Sequence, residues 1–159
     1  MIILGLDPGT THTGCVWFDG TRVVRSEHLE NAGVVVAVSS IDVPMHIDSV
    51  ACEMLQCQGM PVGAETFETA YWIGRFMDRC GSVWHRVYRN EVKLHLCGSA
   101  RAKDPNIRQA LLDRWGGKAA AVGTKKSPGP LYGVTGHCWS ALAVAVTAWD
   151  RHYAKGRIA

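Results

Sequence analysis

The chain has 159 residues, which at about 150 residues per domain reads as one domain spanning 1–159. With 47% hydrophobic and 19% charged residues it is neither disordered nor collagen-like, because such chains cannot bury enough apolar surface to offset the entropy of ordering. Its net charge of +3 hides an asymmetry: residues 1–74 hold two basic and nine acidic side chains, whereas residues 75–126 hold twelve basic and four acidic ones.

In chain order, residues 1–6 form a continuous apolar run that reads as a buried central strand, ended by Asp7-Pro8-Gly9. Residues 14–18 resume as a second strand, Asp19-Gly20 signals a hairpin, and 21–29 follow as a third strand. Asn31 is placed to cap a short helix over 34–38. Residues 49–55 read as a buried strand carrying Glu53, and a Gly/Pro-containing loop over 56–63 leads into a helix over 64–79. A fifth strand is predicted over 82–88, then a short helix capped by Asn90 through Leu96. Another helix runs from Asp104 or Pro105 to Trp115, with proline suited to its first turn. Residues 116–136 are rich in glycine and contain Lys118, Lys125 and Lys126, so they read as a long, mobile, basic loop. Residues 137–153 form the final helix. This order, three strands and then alternating strands and helices, is that of an α/β fold with helices on the faces of a mixed sheet.

The longest apolar stretches, 34–38 and 141–146, fall far short of the ~18 residues a membrane span needs. The first residues lack a positive segment and meet Asp7 almost at once, so no secretory signal is expected and the protein is placed in the cytoplasm, away from membranes. Cys15, Cys52, Cys57, Cys80, Cys97 and Cys138 include no C-x-x-C pair and read as reduced thiols, several of them small core hydrophobes.

Two charges stand where apolar residues are expected. Asp7 ends the first strand, and Glu53 lies within Val50-Ala51-Cys52-Glu53-Met54-Leu55; a carboxylate in such a run is costly unless it meets a cation or a donor. If the two strands are neighbours, acids 46 residues apart converge on one point, an arrangement that Mg²⁺ between them makes favourable. The alternative is two separate strand-end acids, one of them capping a turn. His137 opens the last helix with Ser140 on the same face; it is a third candidate ligand, or else a cap or surface group. The acidic first half and basic second half fit carboxylates that hold cations beside Lys and Arg that meet phosphates, or an ordinary solvated surface.

Leu4-Gly5-Leu6-Asp7-Pro8-Gly9, Glu53 on a later buried strand, and a terminal His137-Cys138-Trp139-Ser140-Ala141-Leu142-Ala143 together resemble the RuvC-type Holliday junction resolvases, in particular their compact phage-borne members. Val92-Lys93, the 98–103 segment before the Asp104 helix and the chain length extend the resemblance over essentially the whole chain. It implies a ribonuclease H-like fold with a mixed five-stranded sheet, and a homodimer that cuts two symmetric strands of a four-way DNA junction. The cofactor it implies is Mg²⁺, with Mn²⁺ as a substitute, in the cytoplasm of a bacterium or of a phage-infected cell. On this resemblance Asp7 and Glu53 take two positions of the catalytic acidic set, and His137 falls where the terminal helix offers an Asp or sometimes a His. Lys93 and Lys103 match basic residues of the family, and the chemistry implied is phosphodiester hydrolysis with divalent cations at the scissile phosphate and Lys93 neutralising charge that develops there. The departure is Ser140, where the family's terminal helix usually carries an acid. Asp104 is either a substitute carboxylate or a helix cap.

The expected catalytic residues are thus Asp7, Glu53, His137 and Lys93, with the first three as metal ligands. DNA contacts are expected from Lys93, Arg101, Lys103, Lys118, Lys125 and Lys126. Phe67, Tyr71 and Trp72, at helical spacing, read as core or dimer interface, or as a platform for unpaired bases. Three rivals remain. Asp7-Pro8-Gly9-Thr10-Thr11 also resembles the phosphate-binding turn of actin-like ATPases and sugar kinases, which need two such domains. A non-catalytic branched-DNA-binding protein would have lost a ligand at Ser140. A ribonuclease H-like nuclease of another preference would act on flaps or forks.

Overall fold

The structure, a computed structural model, describes residues 1–39, 46–57, 59 and 61–154. The first apolar run becomes β1 (Ile3–Pro8), followed by β2 (His12–Phe18), β3 (Val23–Glu30), α1 (Asn31–Val38), β4 (Ser49–Met54), α2 (Ala64–Arg79) and β5 (Val83–Tyr88). Four further helices follow among the described residues: α3 (Arg89–Cys97), α4 (Asp104–Arg114), α5 (Lys118–Val122) and α6 (Cys138–His152). The strands form one five-stranded sheet in the order β3-β2-β1-β4-β5. β1, β2 and β3 are antiparallel neighbours, whereas β1, β4 and β5 run parallel. This is the mixed sheet expected.

The period of two sorts the strand residues between the faces. Leu4, Leu6, Cys15, Trp17, Val50 and Cys52 pack against α1 and α2 through Val34, Val38, Ile73 and Phe76. Ile3, Val16, Phe18 and Ala51 pack against α6, with residues of α3, α4 and α5 around it. Helix α6 is buried along most of its length, which explains why its sequence is apolar nearly all round. All six cysteines are free thiols, and Cys15, Cys52 and Cys138 are buried in this core. Among the described residues, no helix is long and apolar enough to cross a membrane.

The turn between β2 and β3 follows its sequence signal. Asp19 Oδ1 accepts from the backbone N–H groups of Thr21 and Arg22 at 2.8 and 2.9 Å, and Gly20 adopts φ +92°, a conformation that glycine reaches without steric cost.

Three local expectations are corrected. Asn31 does not cap α1; it is the first helical residue, fully buried. Its Oδ1 accepts from the Thr13 hydroxyl at 2.7 Å and its Nδ2 donates to the Gly9 carbonyl at 3.0 Å, so a buried amide is better used on two long-range partners than on a cap. Asn90 lies inside the first turn of α3, where the Tyr88 N–H donates to Glu91 at 2.7 Å. Residues 116–136 are a folded segment, not a free loop. Ala121, Leu131 and Val134 are buried in it, and the Leu131 and Gly129 N–H groups donate to Ala121 and Val122 at 2.7 and 3.0 Å. Lys125 and Lys126 sit at the tip of a tight turn closed by Thr124 and Ser127, whose N–H groups each donate to the other's carbonyl at 2.9 and 3.1 Å.

Helix α6 lies so close to β1 that only glycine fits at position 5. A Cβ there would fall 2.2 Å from the Ala141 carbonyl oxygen and 2.8 Å from the Ala145 Cβ. Gly5→Ala should therefore cost about 3 kcal/mol or more by overpacking. Gly33→Ala in α1, where an added Cβ meets nothing within 4 Å, should be neutral or stabilise by up to about 1 kcal/mol. Urea unfolding of the two variants checks the contrast; equal effects would refute the close approach.

Candidate active site

Leu6 and Cys52 are register partners on the parallel strands β1 and β4. Asp7 and Glu53, the next residue on each strand, therefore come side by side at the carboxyl-terminal edge of the sheet. Alternation puts them on the face that Gly5 and Ala51 present to α6. The turn after Asp7 is held in place: the Gly9 N–H donates to His12 at 3.0 Å and the Asn31 N–H to Thr11 at 2.9 Å, beside the Asn31–Gly9 bond.

Asp7 and Glu53 share a pocket with Met54, Thr69, Arg89 and Lys93. Arg89, the first residue of α3, donates to Glu53 Oε2 at 3.3 Å and pairs with the carboxylate of Asp104 at the start of α4. Asp104 is thus no helix cap; Lys103 precedes it at that position, and its side chain is spent on Arg89. His137 Nδ1 lies 3.8 Å from Asp7 Oδ2. The imidazole approaches from solvent, its side chain 73% exposed against 22% for Asp7, and it makes no capping bond to α6.

Burial dominates the electrostatics. It raises the Asp7 carboxyl to about 6, against the pull of Arg89 and with the push of Asp104. It raises Glu53 to about 7, with Arg89 opposing and Asp7 and Asp104 adding to it. One guanidinium only partly offsets the burial of these acids, and both carboxyls stay above the ordinary carboxylate range. The donor chemistry fits a hard divalent cation: desolvated carboxylate oxygens suit Mg²⁺ or Mn²⁺, and a nearby imidazole nitrogen favours Mn²⁺. Among the described residues no three His, Cys, Asp or Glu side chains gather as a ready-made ligand set. Asp7 and Glu53 are the two acids that converge.

The remaining sequence candidates divide by place. Lys93 shares the acidic pocket. His137 and Lys118 line an adjoining groove with Asp104, Arg108, Trp139 and Ser140, and Arg89 lines both. Arg101, Lys103, Lys125 and Lys126 line neither, and all four are exposed. Phe67 and Tyr71 stand 66% and 54% exposed on α2, with the Arg75 guanidinium over the rings of Tyr71 and Trp72. Sequence reasoning missed Arg89. Its signal was the same one that marked Asp7 and Glu53, a charge at the end of a strand, here directly after 82–88.

Both carboxyls bind protons more tightly when folded than when unfolded, so their contribution to stability is full below the unfolded value near 4 and is lost as pH rises through about 6 and about 7. Without divalent cations, Asp7→Asn or Glu53→Gln should stabilise the protein at pH 8 by on the order of 2 kcal/mol, and by little at pH 4. Denaturant unfolding at the two pH values checks this. A destabilising effect at pH 8 would mean the carboxylates are satisfied without a cation.

No protein-family model matches the chain, and no curated protein matches it. Among solved structures the chain is similar to RuvC of Thermus thermophilus, at 19% identity over 95% of this chain and 96% of that one, with a TM-score of 0.68. It is similar also to Thermus thermophilus RuvC in complex with a Holliday junction substrate, at 17% identity over 96% of each chain, again with a TM-score of 0.68. At these identities the likeness is one of fold, and it extends over nearly the whole chain: this protein has the ribonuclease H-like fold of RuvC.

Proposed function

We propose that this protein is a metal-dependent endonuclease that cuts four-way DNA junctions by phosphodiester hydrolysis, acting as a homodimer in the cytoplasm of a bacterium or of a phage-infected cell. The observation that carries this reading is the convergence of Asp7 and Glu53 at adjacent strand ends of a RuvC fold, both raised in pKa by burial. Asp7, Glu53 and His137 are the residues that would hold the cation. Held there, a divalent cation would supply Lewis acidity and positive charge for phosphodiester hydrolysis. Lys93, in the same pocket, neutralises charge developing on the phosphate oxygens. Arg89 orients Glu53. The lysines at 118, 125 and 126, with Arg101 and Lys103, supply backbone contacts. The exposed Phe67–Tyr71 face of α2 is the surface proposed for the second copy, since large exposed apolar side chains in a row mark an interface.

A second reading is favoured by two observations: Ser140 stands where an acid is expected, and Arg89 already engages Glu53. On that reading the protein binds branched DNA without cutting it.

Labelled four-way junction, flap, fork and duplex, incubated with and without Mg²⁺ or Mn²⁺, separate the two. Cleavage of the junction that requires the cation is expected, and Asp7→Asn or Glu53→Gln should reduce it by roughly a hundredfold or more while leaving junction binding intact. At limiting cation the rate should rise with pH through the range about 6 to about 7, as protons cease to compete for the carboxylates. Binding without cleavage in either cation would establish the second reading.

His137 separates a ligand from a bystander. An imidazole brings nitrogen and no negative charge, so activity at limiting metal should be higher with Mn²⁺ than with Mg²⁺. His137→Asp should shift the preference towards Mg²⁺, and His137→Asn should lose most activity. Equal activity in both variants with the preference unmoved would remove His137 from the ligand set.

A further inference from the structure

The groove beside the acidic pocket carries the opposite charge. Its volume is about 690 Å³, and it lies between α4 and the start of α6, with Lys118 contributed by α5. Arg89 lines both groove and pocket, so the two adjoin. The one acid on its wall, Asp104, is paired with Arg89, and Ser140 adds a hydroxyl where a carboxylate would repel an anion. Gln109 is engaged with Asp113 at 2.7 Å. The first N–H groups of α6 already donate to Thr135, Gly136 and His137, so side chains alone give the groove its attraction for anions.

Two cations there have no ion-pair partner among the described residues: Arg108 and Lys118. Arg108 is held in a defined place, its guanidinium 4.7 Å from the ring centroid of Trp139. That indole is itself buried, 8% exposed. A guanidinium stacked on a fixed ring loses little further freedom on binding and keeps its N–H edge for a phosphate.

We propose that this groove binds the sugar-phosphate backbone of one DNA strand next to the scissile phosphodiester, with Arg108 on Trp139 as the phosphate clamp and Lys118 as a second contact. The proposal rests on the nuclease reading above and adds to it the substrate's path. The groove is the size of a small-ligand pocket, within the usual range of about 300–1,000 Å³. That volume suits a nucleotide or two of one strand, as where strands part at a junction.

The test measures binding without cutting, in the Asp7→Asn background without divalent cations. A fluorescent four-way junction is titrated across a range of salt concentrations. Arg108→Gln and Lys118→Gln should each weaken binding several-fold and make the log–log salt slope shallower by about 0.9. Arg108→Lys should keep the slope and still lose affinity, because an ammonium neither stacks nor forks. In a second arm, neutral methylphosphonate linkages replace single phosphates on either side of the cut. One of them should weaken binding when Arg108 is present and make no further difference in Arg108→Gln. Unchanged affinity and slope in a folded Arg108→Gln protein would overturn the proposal. If that variant does not fold, methylphosphonates without effect in the Arg108-intact protein would overturn it instead. The nuclease reading fails separately: a wild-type protein whose binding depends on the groove but which cuts nothing keeps the groove and loses the cleavage.

Discussion

Two carboxylates cannot be withdrawn from water at neighbouring strand ends without positive charge to meet them, and the surroundings of Asp7 and Glu53 are organised by that shortage. The parallel register of β1 and β4 brings them together. Arg89 answers part of the demand, but it divides its guanidinium between Glu53 and Asp104, and both pocket acids remain above the ordinary carboxylate range. A fold that needed only stability would replace such a pair with apolar residues of similar size. Retaining it makes sense where a cation and a phosphate are to be accommodated, as in the proposed nuclease.

The asymmetry of charge along the chain becomes an asymmetry in space. Asp7 and Glu53 come from the acidic first half, on the central strands, while Arg89, Lys93, Arg108 and Lys118 come from the basic second half, on α3, α4 and α5. β5 runs parallel to β1 and β4 and ends at the same edge of the sheet, so the basic helices that follow it begin beside the two acids, and Arg89 lines both pocket and groove. Close packing of α6 on Gly5 sets where that helix starts, and hence where His137 stands relative to Asp7.

Much of this could be read before the structure. Asp7 and Glu53 announced themselves because a charge inside an apolar run has few explanations, and the order of strands and helices pointed to the mixed sheet. What escaped the sequence depended on partners far away in the chain. Asn31 looked like a cap because asparagine usually serves locally, yet its amide reaches Gly9 and Thr13. Asp104 looked like another cap, whereas its partner Arg89 lies on a different helix. Residues 116–136 looked like a free loop because glycine and lysine dominate the composition, while three apolar anchors, Ala121, Leu131 and Val134, hold the segment to the core. Arg89 was hidden among twelve basic residues, and only its position at a strand end distinguished it.

The buried amide of Asn31 carries one more implication. It uses opposite chemical properties at once, an oxygen that accepts from Thr13 and a nitrogen that donates to Gly9. Aspartate offers no donor, leucine neither group, and glutamine has the right groups on a stem one carbon too long for a closely packed site. The conformation of the turn beside Asp7 thus hangs on a residue that touches no candidate ligand. Gly9 takes part only through its backbone carbonyl, so drift at position 31 would have to be matched at position 13, which ties β2 and the start of α1 into one unit of inheritance.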